Sequence, residues 1–213
     1  MTTMMRIDRK LLAALAITLG LPGVTAHAAI IAKPKPEPIA GNAVVGVFVT
    51  DVDPQSLLQS RTAPNRLNTG PFDGPQTLQL YIIAVYDRTR VGDAGFDQVA
   101  KFVLPDGNIY ETRIDPVDPA GTQTAVLRDD LAPHPVETLP ILRAKRLARA
   151  LPAGSLTPRQ MKNAAFVAVP LPVSGTWVTG HGLYGTWQVE ISAVKAGKVL
   201  SSSATSFRIE GGR

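Results

Sequence analysis

Hydrophobic and polar positions along this chain follow mainly the two-residue period of a β-strand. Ala43 to Thr50 (AVVGVFVT) is apolar on both faces, as in a strand with little solvent contact. Thr77 to Tyr86 places Leu78, Leu80, Ile82, Ala84 and Tyr86 on one side. Its other side mixes Gln79 with Tyr81, Ile83 and Val85, which predicts a central strand. Asp97 to Leu104 and Asn108 to Ile114 flank Pro105-Asp106-Gly107. Pro presets the first turn dihedral and Gly accepts a positive one, so this reads as a hairpin. Ala164 to Val173 is β-rich, but Pro170 and Pro172 lack ladder donors, which puts that strand's end at a sheet edge. Trp187, Val189, Ile191 and Ala193 alternate with Gln188, Glu190 and Ser192 in a half-buried strand. Lys195-Ala196-Gly197-Lys198 turns it into a last strand with Ser203, Thr205, Phe207 and Ile209 on one face. About seven strands are predicted.

Two stretches break this rhythm. Residues 51–75 are rich in Pro, Asn and Gly with almost no periodicity, and long loops of this kind are often functional. Residues 115–163 read as a helical insertion. One helix is predicted from about Leu139 to Leu151, with Pro140 in its first turn and Pro152 and Gly154 just beyond its end. A shorter one follows, because Thr157-Pro158-Arg159-Gln160 fits a capping box with Pro at the first helical position.

Seven short alternating strands with turn signals predict an all-β, antiparallel sandwich. The stretch from Gly182 to Ile191 (GLYGTWQVEI), followed by a hairpin and Phe207-Arg208-Ile209, resembles the last two strands of immunoglobulin-like domains in bacterial exported proteins. The resemblance covers about 30 residues. It implies an Ig-like β-sandwich and a tyrosine-corner role for Tyr184, and it carries over no functional residue.

The N-terminus sets the compartment expected. Arg6, Arg9 and Lys10 precede the apolar run Leu11–Leu21, a Pro22-Gly23 breaker and the small-residue site Ala26-His27-Ala28. That three-part pattern predicts a signal peptide over 1–28, cleaved after Ala28, and a periplasmic or secreted protein. The run is too short to span a bilayer, which takes about 20 residues. Residues 29–42 contain AKPKPEP and read as a Pro-rich tether, and 43–213 as a single domain. The 213-residue sequence holds no Cys, which excludes disulfides, a lipid-anchoring cysteine, cysteine metal sites and a Cys nucleophile. Its net charge of +5 falls to +3 once residues 1–28, with three basic groups and one acid, are removed. So small a surplus argues against a nucleic-acid partner.

Known catalytic patterns are missing. There is no G-x-S-x-G elbow, Walker loop or G-x-G-x-x-G, and Ser155 and Ser174 lack the flanking residues of a nucleophile. His134, between two prolines, and His181, in a Gly-flanked turn, read as exposed loop residues. No cofactor and no metal are expected. Asp51-Val52-Asp53 could begin a Ca²⁺ loop, but an EF-hand frame would find Ser56 and Thr62 where Gly and Glu are required. The simpler reading of Asp51 and Asp53 is that they end a strand and start a turn, and the same holds for Asp129-Asp130.

One concentration of charge stands out. Arg143, Lys145, Arg146, Arg149, Arg159 and Lys162 fall within twenty positions with no acid among them. On a helix, Leu142, Leu147, Ala150 and Leu151 would form a broken apolar side beneath them. The functional reading is a binding surface for an acidic envelope or secreted protein, or for an anionic polysaccharide. The plainer reading is a solvated helix capping one end of the sandwich. Trp177, in a polar loop, is the candidate for stacking on a sugar. The expectation is therefore a non-enzymatic exported interaction or structural module. A carbohydrate-binding module is its alternative, and a hydrolase pairing Asp51 or Asp53 with Asp93 or Asp97 is a weaker one.

Overall fold

A computed structural model of the chain describes residues 42–59, 66–119, 124–128, 131–139 and 141–212. All belong to one compact unit, Pro38–Arg213. The signal peptide expected over 1–28, the tether up to residue 41 and the Asp129-Asp130 turn lie outside the described residues, as does the side chain of His134.

Among the described residues ten strands form two sheets. The first has the order β1 (Val44–Thr50), β3 (Gln79–Asp87), β8 (Ala164–Pro172), β7 (Leu131–Thr138) and β6 (Thr124–Arg128). The second has the order β2 (Phe72–Asp73), β10 (Lys198–Glu210), β9 (Gly185–Lys195), β4 (Phe96–Val103) and β5 (Ile109–Val117). Every described pairing is antiparallel except that of β2 with β10. The all-β sandwich expected from periodicity is therefore present.

The seven strands read from the sequence are all found, and β2, β6 and β7 are added. β2 has two residues, too few to show a period. β7 carries Pro133 and Pro135, which mask strand character in a sequence, yet it pairs with β6 through Ala125↔Pro135. Residues 115–163 are thus strand for much of their first half, and among the described residues helical only in α3 (Ile141–Ala150) and α4 (Pro158–Asn163). The stretch 51–75 likewise holds α1 (Pro54–Gln59) as well as β2.

Local chemistry explains the turns. In the β4–β5 hairpin Gly107 takes φ +87° and donates its N–H to Leu104 O at 3.0 Å. Ala196 and Gly197 both have positive φ, which suits the right-handed twist of the β9–β10 hairpin. Two single-turn helices, α2 (Arg88–Val91) and α5 (Trp177–Gly180), are capped by Asp87 and Thr176.

The chain builds two apolar cores, one on each face of the first sheet. Between the sheets lie Phe72, Leu80, Ile82, Phe102, Val167, Val169, Trp187, Val189 and Ile191. On the outer face of the first sheet Ile83, Val85 and Phe166 pack against Leu57 and Leu58 of α1 and Ala144 and Leu147 of α3. β3 is buried on both sides, as its two-faced pattern predicts. β7 has described pairing to β8 only at Glu137↔Ala168 and Thr138↔Val167, so the proline-bearing end of β8 lies beyond that pairing.

Candidate functional surfaces

The basic residues sit on a helical layer. In α3, Ala144, Leu147 and Ala148 are buried at helical spacing, joined by Leu151 just after it, while Arg143, Lys145, Arg146 and Arg149 are exposed. Ala144 and Ala148 share the apolar side with Leu147, Ala150 and Leu151, and the Leu142 side chain is outside the description. The layer lies over the outer face of the first sheet, which corrects the expectation that it caps one end of the sandwich. The reason is that β3 and β8 present Ile83, Val85 and Phe166 outward and need cover. α4 starts with the expected capping box: the Thr157 side chain accepts from Gln160 N, and the Gln160 side chain accepts from Thr157 N at 2.8 Å. It carries Arg159 and Lys162, both exposed.

These six cations are not equivalent. Arg146 Nη1 donates to Leu58 O at 2.7 Å, tying α3 to the end of α1. Arg143, Lys145, Arg149, Arg159 and Lys162 form no ion pair among the described residues.

Asp53 and Asp51 hold local structure. Asp53 Oδ1 accepts from Gln55 N at 3.0 Å, and its Oδ2 accepts from Ser56 N and Ser56 Oγ, so the carboxylate starts α1. Asp51 Oδ2 accepts from Asn68 Nδ2 at 2.8 Å. The turn reading thus describes both. Thr50 pairs with Tyr81, whereas Asp93 and Asp97 follow the Asp87 end of β3. Tyr81 and Asp87 are separated by about 20 Å of strand, so the two carboxylate pairs lie at opposite ends. They line separate cavities, one of about 630 Å³ with Asp51 and Asp53 and one of about 430 Å³ with Asp93 and Asp97. Among the described residues no three His, Asp or Glu side chains group to hold a metal.

Trp177 opens α5 and is 60% exposed. Its ring meets that of the exposed His181, with centroids 3.4 Å apart and planes at 66°. Tyr184 departs from the tyrosine-corner expectation. Its hydroxyl has no partner among the described residues, and its ring instead fills the space over Gly74 and Gly211.

A further feature matches no motif in the sequence. The helical layer covers Ile83 and Val85 but leaves the preceding outward residues of β3, Gln79 and Tyr81, only partly covered. These line the 630 Å³ groove, which continues past Asp53, Gln79 and Tyr81 into a smaller one of about 200 Å³ with Gln55, Glu137 and Pro170. Burial, reinforced by the charge of Asp53, raises the Tyr81 phenol above its ordinary pKa. The one visible cue was the switch along this face from Gln79 and Tyr81 to Ile83 and Val85.

No family model matches the chain, and no curated protein matches it. Among solved structures, a glycosyl hydrolase family 2 member from Bacteroides cellulosilyticus DSM 14838 is 10% identical at a TM-score of 0.36. The overlap covers 77% of this chain and 14% of that chain. This likeness carries no argument for fold or activity. Among the described residues no helix is long and apolar enough to cross a membrane.

Proposed function

We propose that this chain is an exported, non-catalytic, Ig-like β-sandwich of the bacterial cell envelope that binds an acidic protein partner on the basic face of α3 and α4. The observation that carries this reading is the set of five exposed cations on two adjacent short helices with no ion-pair partner among the described residues. Uncompensated like charge on a rigid layer steers an oppositely charged surface and weakens with salt. Strand order supports the Ig-like assignment: β1-β3-β8-β7 and β10-β9-β4 follow the A-B-E-D and G-F-C orders of immunoglobulin sheets.

In-cell cross-linking of the tagged protein, read by mass spectrometry, tests the reading. The expected result is one acidic partner linked through Lys145 or Lys162, and its loss in an Arg143→Ser, Lys145→Ser, Arg149→Ser triple variant. Capture that survives the triple variant, or links confined to other lysines, would overturn it. The carbohydrate-binding alternative rests on the exposed ring of Trp177 and is checked by its fluorescence in the presence of envelope polysaccharide.

A further inference from the structure

We infer that the uncovered part of the first sheet's outer face is a second binding site, a groove for a neutral polysaccharide chain. The helical layer stops short of Gln79 and Tyr81, which leaves a polar and aromatic strip on an otherwise covered sheet. The cavity there, about 630 Å³ with its smaller continuation, lies within the usual size of ligand clefts of about 300–1,000 Å³.

The chemistry of the lining selects the ligand class. The Tyr81 hydroxyl and the Gln79 amide have no hydrogen-bond partner among the described residues, though both are half-buried. They present an aromatic surface beside a neutral group that both donates and accepts, which is what a pyranose needs for its C–H face and its vicinal hydroxyls. The walls supply acceptors already oriented by local bonds: Asp53 by the first turn of α1, Asp73 by Gln76 N at 3.3 Å, and Glu137 by the Gln55 amide. A carboxylate has room for further donors, so sugar hydroxyls can add to these bonds. Among the described residues no Lys or Arg lines either part of the groove, whereas Asp51, Asp53, Asp73 and Glu137 do. Anionic polymers are therefore repelled here, in contrast to the α3–α4 face.

Affinity electrophoresis of the full exported protein through gels containing laminarin, dextran or mannan, with polygalacturonate as the anionic comparison, tests this. Retardation by at least one neutral polymer is expected, unchanged in high salt and kept by Tyr81→Phe. Tyr81→Ala should weaken it roughly tenfold, the scale of one lost aromatic contact. Gln79→Ala serves as a second variant, and thermal melts of each establish that it is folded. Val199→Ser, on the β9–β10 hairpin, is the unaffected control. Retardation by no neutral polymer, or only by polygalacturonate, overturns the inference. So does retardation that persists in folded Tyr81→Ala and Gln79→Ala, or that is lost in Trp177→Ala instead. The partner capture by α3 and α4 is independent of each of these outcomes.

Discussion

Arg113 of β5 is 2% exposed and charged, and its surroundings show why it stays there. Its Nε and Nη2 both reach Glu111 Oε2 at 2.9 Å, its Nη1 donates to Pro170 O at 2.6 Å, and its Cζ lies 5.3 Å from the centre of the Phe102 ring. It bridges the two sheets at the part of β8 beyond its pairing with β7. Arg113→Ala is expected to cost about 3 kcal/mol, because it leaves Pro170 O without this donor and Glu111 without this cation. In urea denaturation this appears as a lowered midpoint, and in thermal melts as a drop of roughly 6–12 °C. Tyr86 makes a second buried link, donating to Gln98 Oε1 at 2.6 Å. Burial, and then the nearby Asp115 charge, hold its phenol well above the ordinary pKa of 10.0. Below that value folded and unfolded states both keep the proton, so this group adds no pH dependence to stability. Above it the unfolded chain releases the proton while the folded one retains it, and stability falls as pH rises. Alkaline titration should show that loss, and Tyr86→Phe should flatten it.

At the scale of elements, the helical layer is held by few side chains. Leu147 is fully buried against the outer face of the first sheet, and Leu147→Ala is expected to cost about 2–5 kcal/mol by urea denaturation. The capping box of α4 contributes less: Thr157→Ala should lose about 1 kcal/mol, since one orphan N–H of the first turn goes unpaired. Both helices were legible because their signals are local: a cap with its Gln three residues on, and an apolar stripe closed by Pro152 and Gly154. β6 and β7 were not, because Pro133 and Pro135 read as breakers. Their strand conformation rests on pairing with each other and, at Glu137 and Thr138, with β8, which a one-dimensional period does not show.

At the scale of the whole molecule, the α3–α4 cations and the groove carboxylates occupy different places. The exposed cations of α3 and α4 look outward over one face of the first sheet, and the Asp51–Asp73 groove opens where that layer ends. Because Arg143, Lys145 and Arg149 have no ion pairs among the described residues, replacing all three with Ser should cost no more than about 0.5 kcal/mol per substitution. Thermal melts of the variant check this alongside its loss of partner capture. The two cores share β3 and β8, whose side chains are buried on both faces over most of their length. Hydrogen exchange should therefore find their amides the slowest, and those of α1, a six-residue surface helix, among the fastest.

By itself the sequence determined the sandwich class, seven of the strands, the two helices after residue 139 and their basic surface. Each of these is written in a local period, a turn or a cap. The tertiary structure alone decided that the helices cover a sheet face, that the Tyr184 ring packs over Gly74 and Gly211, and that Gln79 and Tyr81 remain only partly covered. The physical reason is that exposure of a residue on a strand depends on what packs over it. For β3 that cover comes from α1, which ends about twenty residues before it, and from α3, which starts more than fifty residues after it.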